Sequence, residues 1–206
     1  MALEVDGIGA DRLADYASVP MVCDVRSLLD VDEINGGIGG LGLLERPVQV
    51  PYKKDYDAYA DGGPLDWPER FDISKWGLWI GREDGNVVGG AAVAWNSPGV
   101  QMLEERNDLA VLWDIRIRAS NRLHGIGTAL FRKAASWAKS KGCRLLKIET
   151  QNVNVGACRF YAKMGCFLGR IDRLAYSQCP GVAGEVMLIW YLDLSASRIP
   201  TARQRK

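Results

Sequence analysis

A short glycine-containing segment carries the clearest chemistry in this 206-residue sequence. It lies between a predicted strand and a predicted helix and reads Arg122-Leu123-His124-Gly125-Ile126-Gly127. Glycines let a backbone approach a ligand closely, and the N–H groups of a helix's first turn attract anions. A phosphate or pyrophosphate is therefore the expected ligand, and a tight strand–helix turn without a ligand is the competing interpretation. The segment is not a Walker A motif, because no Gly-Lys-Ser/Thr follows, and Leu130 replaces the third glycine of the dinucleotide motif.

A second set of residues falls on one face of a later predicted helix. Asn154, Cys158 and Tyr161 have the spacing i, i+4, i+7, which places them along one stripe. An amide and a phenol on that stripe could face a ligand. The ordinary alternative is that Asn154 caps the helix and Tyr161 is a half-buried aromatic residue.

The elements that position these residues follow from periodicity in the second half of the chain. Apolar residues at helical spacing, followed by glycines, predict helices over 125–141 and 154–164. A β-hairpin is predicted from residue 78 to residue 95, with its turn at Asp84-Gly85. Further strands are predicted over residues 110–118, 145–150, 167–176 and 185–194. Strands that alternate with helices indicate an α/β domain.

The first half of the chain gives fewer predictions. Glycines in residues 7–42 are typical of turns, and residues 28–34 could form either a short strand or a helix. Residues 46–56 contain two prolines and are therefore expected to be extended. We therefore expect three parts: an N-terminal segment of undetermined structure (residues 1–45), one domain (46–195) and a flexible basic tail (196–206).

Composition excludes several classes of protein. Lys and Arg total 26 against 25 Asp and Glu, so the chain lacks the basic surplus of a general nucleic-acid binder. Five scattered cysteines without a CxxC pair, and a single histidine, argue against a disulfide framework and a structural metal site. No apolar run approaches the ~20 residues of a membrane helix, and no secretory signal is recognisable. The expectation is a cytoplasmic protein without a metal or membrane partner.

The two motifs together resemble a known signature. Arg122-x-x-Gly125-x-Gly127, followed by the run from Asn154 to Phe167, resembles the acetyl-CoA signature of the GNAT superfamily of N-acetyltransferases over residues 76–194. More narrowly, the chain resembles streptothricin acetyltransferases back to about residue 46. Supporting stretches include Arg46-Pro-Val, Glu149-Thr-Gln-Asn152 and Ala157-Cys-Arg-Phe-Tyr-Ala162. The glycine-rich stretch 36–42 departs from that pattern, as does His124 before the first glycine.

This resemblance implies a fold and a cofactor site. The fold is a GNAT fold, with a mixed central sheet flanked by helices and splayed strands that form an acetyl-CoA cleft. The backbone of Ile115, Arg116 and Ile117 would hold the pantetheine arm, and the segment from Arg122 to Gly127 would hold the pyrophosphate. Asn154 would hydrogen-bond the pantetheine arm, and Tyr161 would lie near the thioester sulfur.

Acetyl transfer to an amine then needs acid and base groups. An alkyl ammonium has a pKa of about 10.4, so it must lose a proton before it attacks. Glu149 is the candidate base, acting through water, and it could also contact the substrate; a solvated strand carboxylate is its alternative. Tyr161 can protonate the leaving thiolate, and a backbone N–H of residues 114–117 can polarise the carbonyl.

Other charged and nucleophilic residues carry weaker hypotheses. Asp114 alternates with the apolar residues of its strand and could bind a cationic acceptor, although a plain surface charge fits equally. The acidic residues Glu104, Glu105 and Asp108 could attract a polyamine-like substrate, or form a solvated face. Cys158 could suggest a covalent acetyl-enzyme, but nothing completes a Cys-His pair, so core packing is favoured.

The resulting expectation is an acetyl-CoA-dependent N-acetyltransferase that acetylates a small-molecule amine, the β-lysine amine of streptothricin, by direct attack in a ternary complex. Two alternatives stay open: a protein or peptide amine acetyltransferase, and a non-catalytic acyl-CoA sensor. A homodimer is compatible with the superfamily, but no residue in the sequence points to one.

Overall fold

The computed structural model describes residues 3–58 and 63–195, so the basic tail expected at 196–206 lies outside the described residues. In chain order the elements are β1 (Glu4–Gly7), α1 (Leu13–Ala17), β2 (Val22–Glu33), β3 (Leu41–Asp55), α2 (Trp67–Arg70), β4 (Gly77–Glu83), β5 (Asn86–Ala94), β6 (Leu109–Ile117), α3 (Ile126–Ser140), β7 (Leu145–Gln151), α4 (Val155–Lys163), β8 (Phe167–Asp172) and β9 (Met187–Asp193). Among the described residues, every helix is too short or too polar to span a bilayer.

Seven strands form one mixed sheet, in the order β1-β4-β5-β6-β7-β9-β8, while β2 pairs with β3 separately. Strands β1, β4, β5 and β6 are antiparallel neighbours. Strands β6 and β7 are parallel, from Leu109 opposite Leu145 to Leu112 opposite Ile148. Parallel neighbours need a crossover connection, and α3 lies in it. The expected α/β fold, a mixed central sheet flanked by helices, is confirmed.

The chain divides into two compact units that interleave along the sequence. The first unit consists of the described parts of residues 1–22, 55–148 and 191–206, and the second consists of residues 23–54 and 149–190. Strands β7 and β9 each contribute residues to both units.

In the first unit, the β4–β5 hairpin and α3 form as predicted. Asp84 and Gly85 have φ of 50° and 78°, the left-handed pair of a type I′ turn. Helix α3 buries Leu130 and Ala134, and Gly142 follows it with φ of 81°. At Gly90 of β5 a Cβ would lie 2.5 Å from the ring of Tyr16, so glycine allows α1 to pack directly on the strand.

In the second unit, β2 and β3 form a long hairpin that the sequence analysis did not predict. The turn chemistry expected for residues 36–42 is correct at the tip, where Gly36, Gly37 and Gly40 have positive φ. Residues 28–34, undecided between strand and helix, belong to β2 up to Glu33. The predicted strand over 167–176 is too long, since β8 ends at Asp172.

Candidate active site

The turn before α3 has the backbone geometry that an anion site needs. Gly125 is the N-cap residue, with φ of 88°, and no side chain caps the helix at this end. A Cβ at Gly125 would meet no atom within 4 Å, so the left-handed φ, rather than lack of room, requires glycine there. Leu123 also has a positive φ, 66°, and its side chain is fully exposed. The first-turn N–H groups of a 15-residue helix thus follow an exposed turn.

Arg122 holds this turn to the end of β6. Its Nε donates to the carbonyl oxygen of Ile117 at 3.3 Å, and its Nη2 donates to the carbonyl oxygen of Val22. The neighbouring residues His124 and Gly125 are exposed, and Ile126 is buried in the helix. Arg122 therefore connects the turn to the backbone of Ile117 and Val22.

Strand β6 contains a β-bulge at Trp113. Ala92 on β5 is opposite Asp114, whereas the next residue, Val93, is opposite Leu112, so Trp113 has no opposite residue in this ladder. Bulges disturb the ladder and change the direction of side chains, and they occur next to active sites. The bulge directly precedes the backbone predicted to hold the pantetheine arm, Ile115 to Ile117, which pairs with Ala91 to Gly89 of β5.

The polar side chains of β6 are buried, which the alternation pattern did not indicate. Asp114 is 7% exposed and Arg116 is 3% exposed, whereas Trp113, Ile115 and Ile117 are only half-buried. Arg116 donates from Nε and Nη2 to Asp114, at 2.9 and 2.6 Å, and from Nη1 to the carbonyl of Val19 at 3.0 Å. A buried bidentate pair replaces the surface charge considered for Asp114.

The same pair involves Tyr16 of α1. The Tyr16 hydroxyl donates to Asp114 Oδ1 at 2.7 Å. Burial, reinforced by the charge of Asp114, raises the pKa of Tyr16 well above its usual value, so the phenol stays a donor. Substrate binding by Asp114 stays a prediction, but both of its oxygens already accept hydrogen bonds within the first unit.

Two of the three acidic residues before β6 are paired with nearby basic side chains. Lys147, itself buried, donates to Glu104 at 2.7 Å. Arg106 donates to both oxygens of Asp108, at 2.9 and 3.1 Å, and these hydrogen bonds lower the pKa of Asp108. The interpretation of this cluster as a polyamine attractor has no support from these contacts, since two of its three carboxylates are paired.

In the second unit, Asn154 caps α4. Its Oδ1 accepts a hydrogen bond from the N–H of Ala157 at 3.1 Å, which is the cap interpretation considered for this residue. Cys158 and Tyr161 follow on the same face, 3% and 5% exposed. The ring of Tyr161 lies 6.5 Å from that of Trp190. Two members of the predicted stripe are thus buried residues.

The Cys158 thiol is a poor nucleophile in this environment. Burial raises its pKa to about 12, so the thiolate required for attack is scarce at neutral pH. The core-packing interpretation of Cys158 is therefore favoured over an acetyl-cysteine route.

Glu149 lies on β7 in a hydrogen-bonded group that the sequence analysis only partly identified. Its Oε1 accepts a hydrogen bond from the Tyr176 hydroxyl at 2.6 Å, and Gln151 Nε2 donates to the same hydroxyl at 2.9 Å. Glu149 is half-buried, so its carboxylate is only partly accessible to solvent, and its role as the base stays a prediction. Spacing could not pair Tyr176 with Glu149, because Tyr176 lies 27 positions away in a turn region without a motif. Among the described residues, no group of three His, Cys, Asp or Glu side chains could hold a metal ion.

Comparisons with known proteins show which family this chain belongs to. The acetyltransferase (GNAT) family matches residues 47–166. A streptothricin acetyltransferase of Escherichia coli is 32% identical over 152 residues, which cover 74% of this chain and 76% of that protein. The corresponding protein of Streptomyces lavendulae is 30% identical over 157 residues, 75% of this chain and 76% of that protein. Streptothricin acetyltransferase A of Bacillus subtilis is 41% identical over 85 residues, so this match spans 41% of the chain and about half (49%) of that relative.

Two solved structures share the fold. A nourseothricin acetyltransferase superposes with a TM-score of 0.73 at 21% identity, covering 94% of this chain and 99% of that one. A protein of Bacillus anthracis, solved in complex with acetyl coenzyme A, has the same TM-score of 0.73 at 24% identity, covering 93% and 99%. The chain therefore belongs to the acetyltransferase (GNAT) family.

Proposed function

We propose that this chain transfers an acetyl group from acetyl-CoA to a primary amine of streptothricin, by direct attack in a ternary complex. The observation that carries the acceptor assignment is the likeness to two streptothricin acetyltransferases over about three quarters of the chain, 74% and 75%. The uncapped, exposed N-terminus of α3 supports acetyl-CoA as the donor, as does the acetyl coenzyme A bound by the Bacillus anthracis neighbour.

Residues of β6 and of the turn before α3 are the proposed groups for the coenzyme's phosphates and pantetheine arm. The turn from Arg122 to Gly127 offers backbone N–H groups to the pyrophosphate, and glycine at position 125 keeps the approach open. The backbone of Ile115, Arg116 and Ile117 hydrogen-bonds the pantetheine arm. The buried Asp114–Arg116 pair holds that strand to Val19 and Tyr16, and this is the role we assign to Asp114.

A backbone N–H near the β6 bulge polarises the thioester carbonyl. In the regular part of the ladder, β6 residues pair with β5, whereas Trp113 has no opposite residue. A hydrogen-bond donor fixed in the backbone costs no reorganisation when negative charge develops on the carbonyl oxygen.

Tyr161 and Glu149 are the proposed acid and base. Tyr161 donates a proton to the leaving thiolate, and Asn154 hydrogen-bonds the pantetheine arm. Glu149 accepts a proton from the acceptor ammonium through water, which is required because an alkyl amine is almost fully protonated at neutral pH. Cys158, with its pKa of about 12, takes no covalent part.

Two further candidate functions are retained as outcomes of the test. A protein or peptide amine acetyltransferase would prefer lysine peptides to streptothricin. A sensor without turnover would bind acetyl-CoA and release no CoA.

The test mixes the purified full chain with acetyl-CoA and streptothricin, and follows CoA with a thiol reagent. Reactions without acceptor correct for the exposed thiol of Cys179. We expect CoA release that requires streptothricin and saturates with it, together with a singly acetylated product by mass spectrometry. Release no faster than in the acceptor-free reaction would show that the substrate assignment is wrong, and faster release with lysine peptides would favour the protein acetyltransferase.

A further inference from the structure

The region between β8 and β9 brings a tyrosine to the proposed base. Tyr176 lies in this turn-rich stretch, and its hydroxyl donates to Glu149 Oε1 at 2.6 Å. Both residues are partly buried within the second unit. A hydrogen bond from a hydroxyl to a carboxylate in such surroundings is short and strong compared with a neutral one.

The direction of this hydrogen bond is set by a third side chain. Gln151 Nε2 donates to the Tyr176 oxygen at 2.9 Å. Because Gln151 uses an acceptor position of the phenol, the single O–H proton is directed to Glu149. The Glu149 oxygen that accepts the hydrogen bond from Tyr176 is Oε1. One oxygen of the carboxylate is thus held by the phenol.

The turn region around Tyr176 is anchored by its own contacts. The Tyr176 carbonyl accepts a hydrogen bond from the N–H of Cys179 at 2.8 Å. Before it, Asp172 Oδ1 accepts from the N–H of Leu174 at 3.0 Å, and Arg173 forms an ion pair with Glu33 of β2. The tyrosine is therefore held in place by backbone hydrogen bonds and an ion pair, rather than by the Glu149 contact alone.

The charges near Tyr176 keep its hydroxyl protonated. Burial and the negative charge of Glu149 raise the pKa of Tyr176, and Glu185 adds to this. Glu185 itself is paired with the buried Lys54. The raised pKa favours the protonated phenol, which is the form that donates to Glu149.

We infer that Tyr176 is a positioning residue for acetyl transfer: it fixes the Glu149 carboxylate through Oε1, so that Oε2 accepts the proton of the acceptor amine. This inference rests on the proposed function. Tyr176 keeps its own proton throughout, and the proton lost by the ammonium passes through water to Oε2. Without the phenol, the carboxylate rotates among several conformers, and fewer of them place an oxygen for proton transfer.

The test is a double-mutant cycle with steady-state kinetics on the full chain. Tyr176→Phe removes only the hydroxyl, and we expect kcat for streptothricin to fall by roughly 5- to 50-fold, with KM for acetyl-CoA within about two-fold. Glu149→Gln lowers kcat by roughly 10²-fold or more. The double variant should match Glu149→Gln within about two-fold, because a residue that acts through Glu149 has no further effect once the carboxylate is lost. The control Ser177→Ala, at an exposed neighbour in the same region, should keep wild-type kinetics.

The outcomes separate this inference from the proposed function. If Tyr176→Phe lowers kcat equally in both backgrounds, its role is structural and the inference is overturned. The inference is also overturned if Tyr176→Phe does not lower kcat in the wild-type background. If Glu149→Gln leaves the rate unchanged, the Tyr176 role fails while acetyl transfer stands. An inactive wild type overturns both. Should Tyr176→Phe not fold, Gln151→Met replaces it in the same cycle, because this change removes the side chain that donates to the Tyr176 oxygen. We then expect kcat to fall by about three-fold in the wild-type background and not to fall further in the Glu149→Gln background.

Discussion

At the residue scale, burial decides which side chains of α4 can take part in chemistry. A thiol with a pKa of about 12, as burial gives Cys158, is ionised to only about one part in 10⁴–10⁵ near neutral pH. A phenol acts as an acid by donating the proton that it already carries, so burial does not disable it. Tyr161, three residues along the same helix, is therefore the better candidate for the leaving thiolate.

Replacing Tyr161 by Phe tests this assignment. The change keeps the ring that packs near Trp190 and removes only the acid, so we expect kcat to fall by roughly 10- to 10³-fold, with little change in acetyl-CoA affinity. Cys158→Ala is the matched control on the same face, and it should retain most of the turnover. Steady-state kinetics and calorimetry measure the two effects. An unchanged kcat in Tyr161→Phe would remove this phenol from the mechanism.

At the scale of elements, helix α3 has a left-handed glycine at each end. Gly125 precedes it with φ of 88°, and Gly142 follows it with φ of 81°. A Cβ would meet no atom within 4 Å at either position, so a side chain costs conformational strain at both. Only the N-terminal end offers unpaired N–H groups to an anion, whereas the C-terminal end presents carbonyl groups.

Comparing Gly125→Val with Gly142→Val separates the effect of backbone strain from the effect on acetyl-CoA binding. Each should lower the free energy of unfolding by about 1–3 kcal/mol in a urea titration, because a non-glycine residue is held at positive φ. Calorimetry should show that Gly125→Val loses acetyl-CoA binding, since the side chain occludes the backbone approach, and that Gly142→Val binds normally. Normal affinity in Gly125→Val would contradict the pyrophosphate role of this turn.

At the scale of the whole molecule, the sequence predicted elements whose signal is local. Features that depend only on near neighbours in the sequence were predicted correctly. They are the helix period at Leu130 and Ala134, the Asp84-Gly85 turn and the glycines after both helices. The β2–β3 hairpin was missed because its strands expose apolar side chains such as Val50, at 75%, and so show no clean alternation.

Contacts between distant residues explain the rest of the candidate site. The burial of Asp114 depends on Tyr16, 98 positions away, and that of Arg116 on Val19, 97 positions away. The partner of Glu149 lies 27 positions further along the chain, beyond the end of β8. Such pairings follow from the tertiary fold, so spacing motifs identified the turn at Gly125 but could not identify Tyr176.

Binding of acetyl-CoA should stabilise the folded chain by an amount that its affinity fixes. A ligand that binds only the native state adds RT ln(1 + [L]/Kd) to the free energy of unfolding, about 2.7 kcal/mol at 100 times Kd. For a chain of this length, each kcal/mol shifts the melting temperature by roughly 2–4 °C, so a rise of roughly 5–11 °C is expected. Acetate alone should give none, whereas CoA without the acetyl group should give most of it, because the pyrophosphate and pantetheine contacts carry the binding. A melting temperature that acetyl-CoA leaves unchanged at millimolar concentration would contradict the coenzyme assignment. A normal rise without CoA release on any amine would instead favour the sensor.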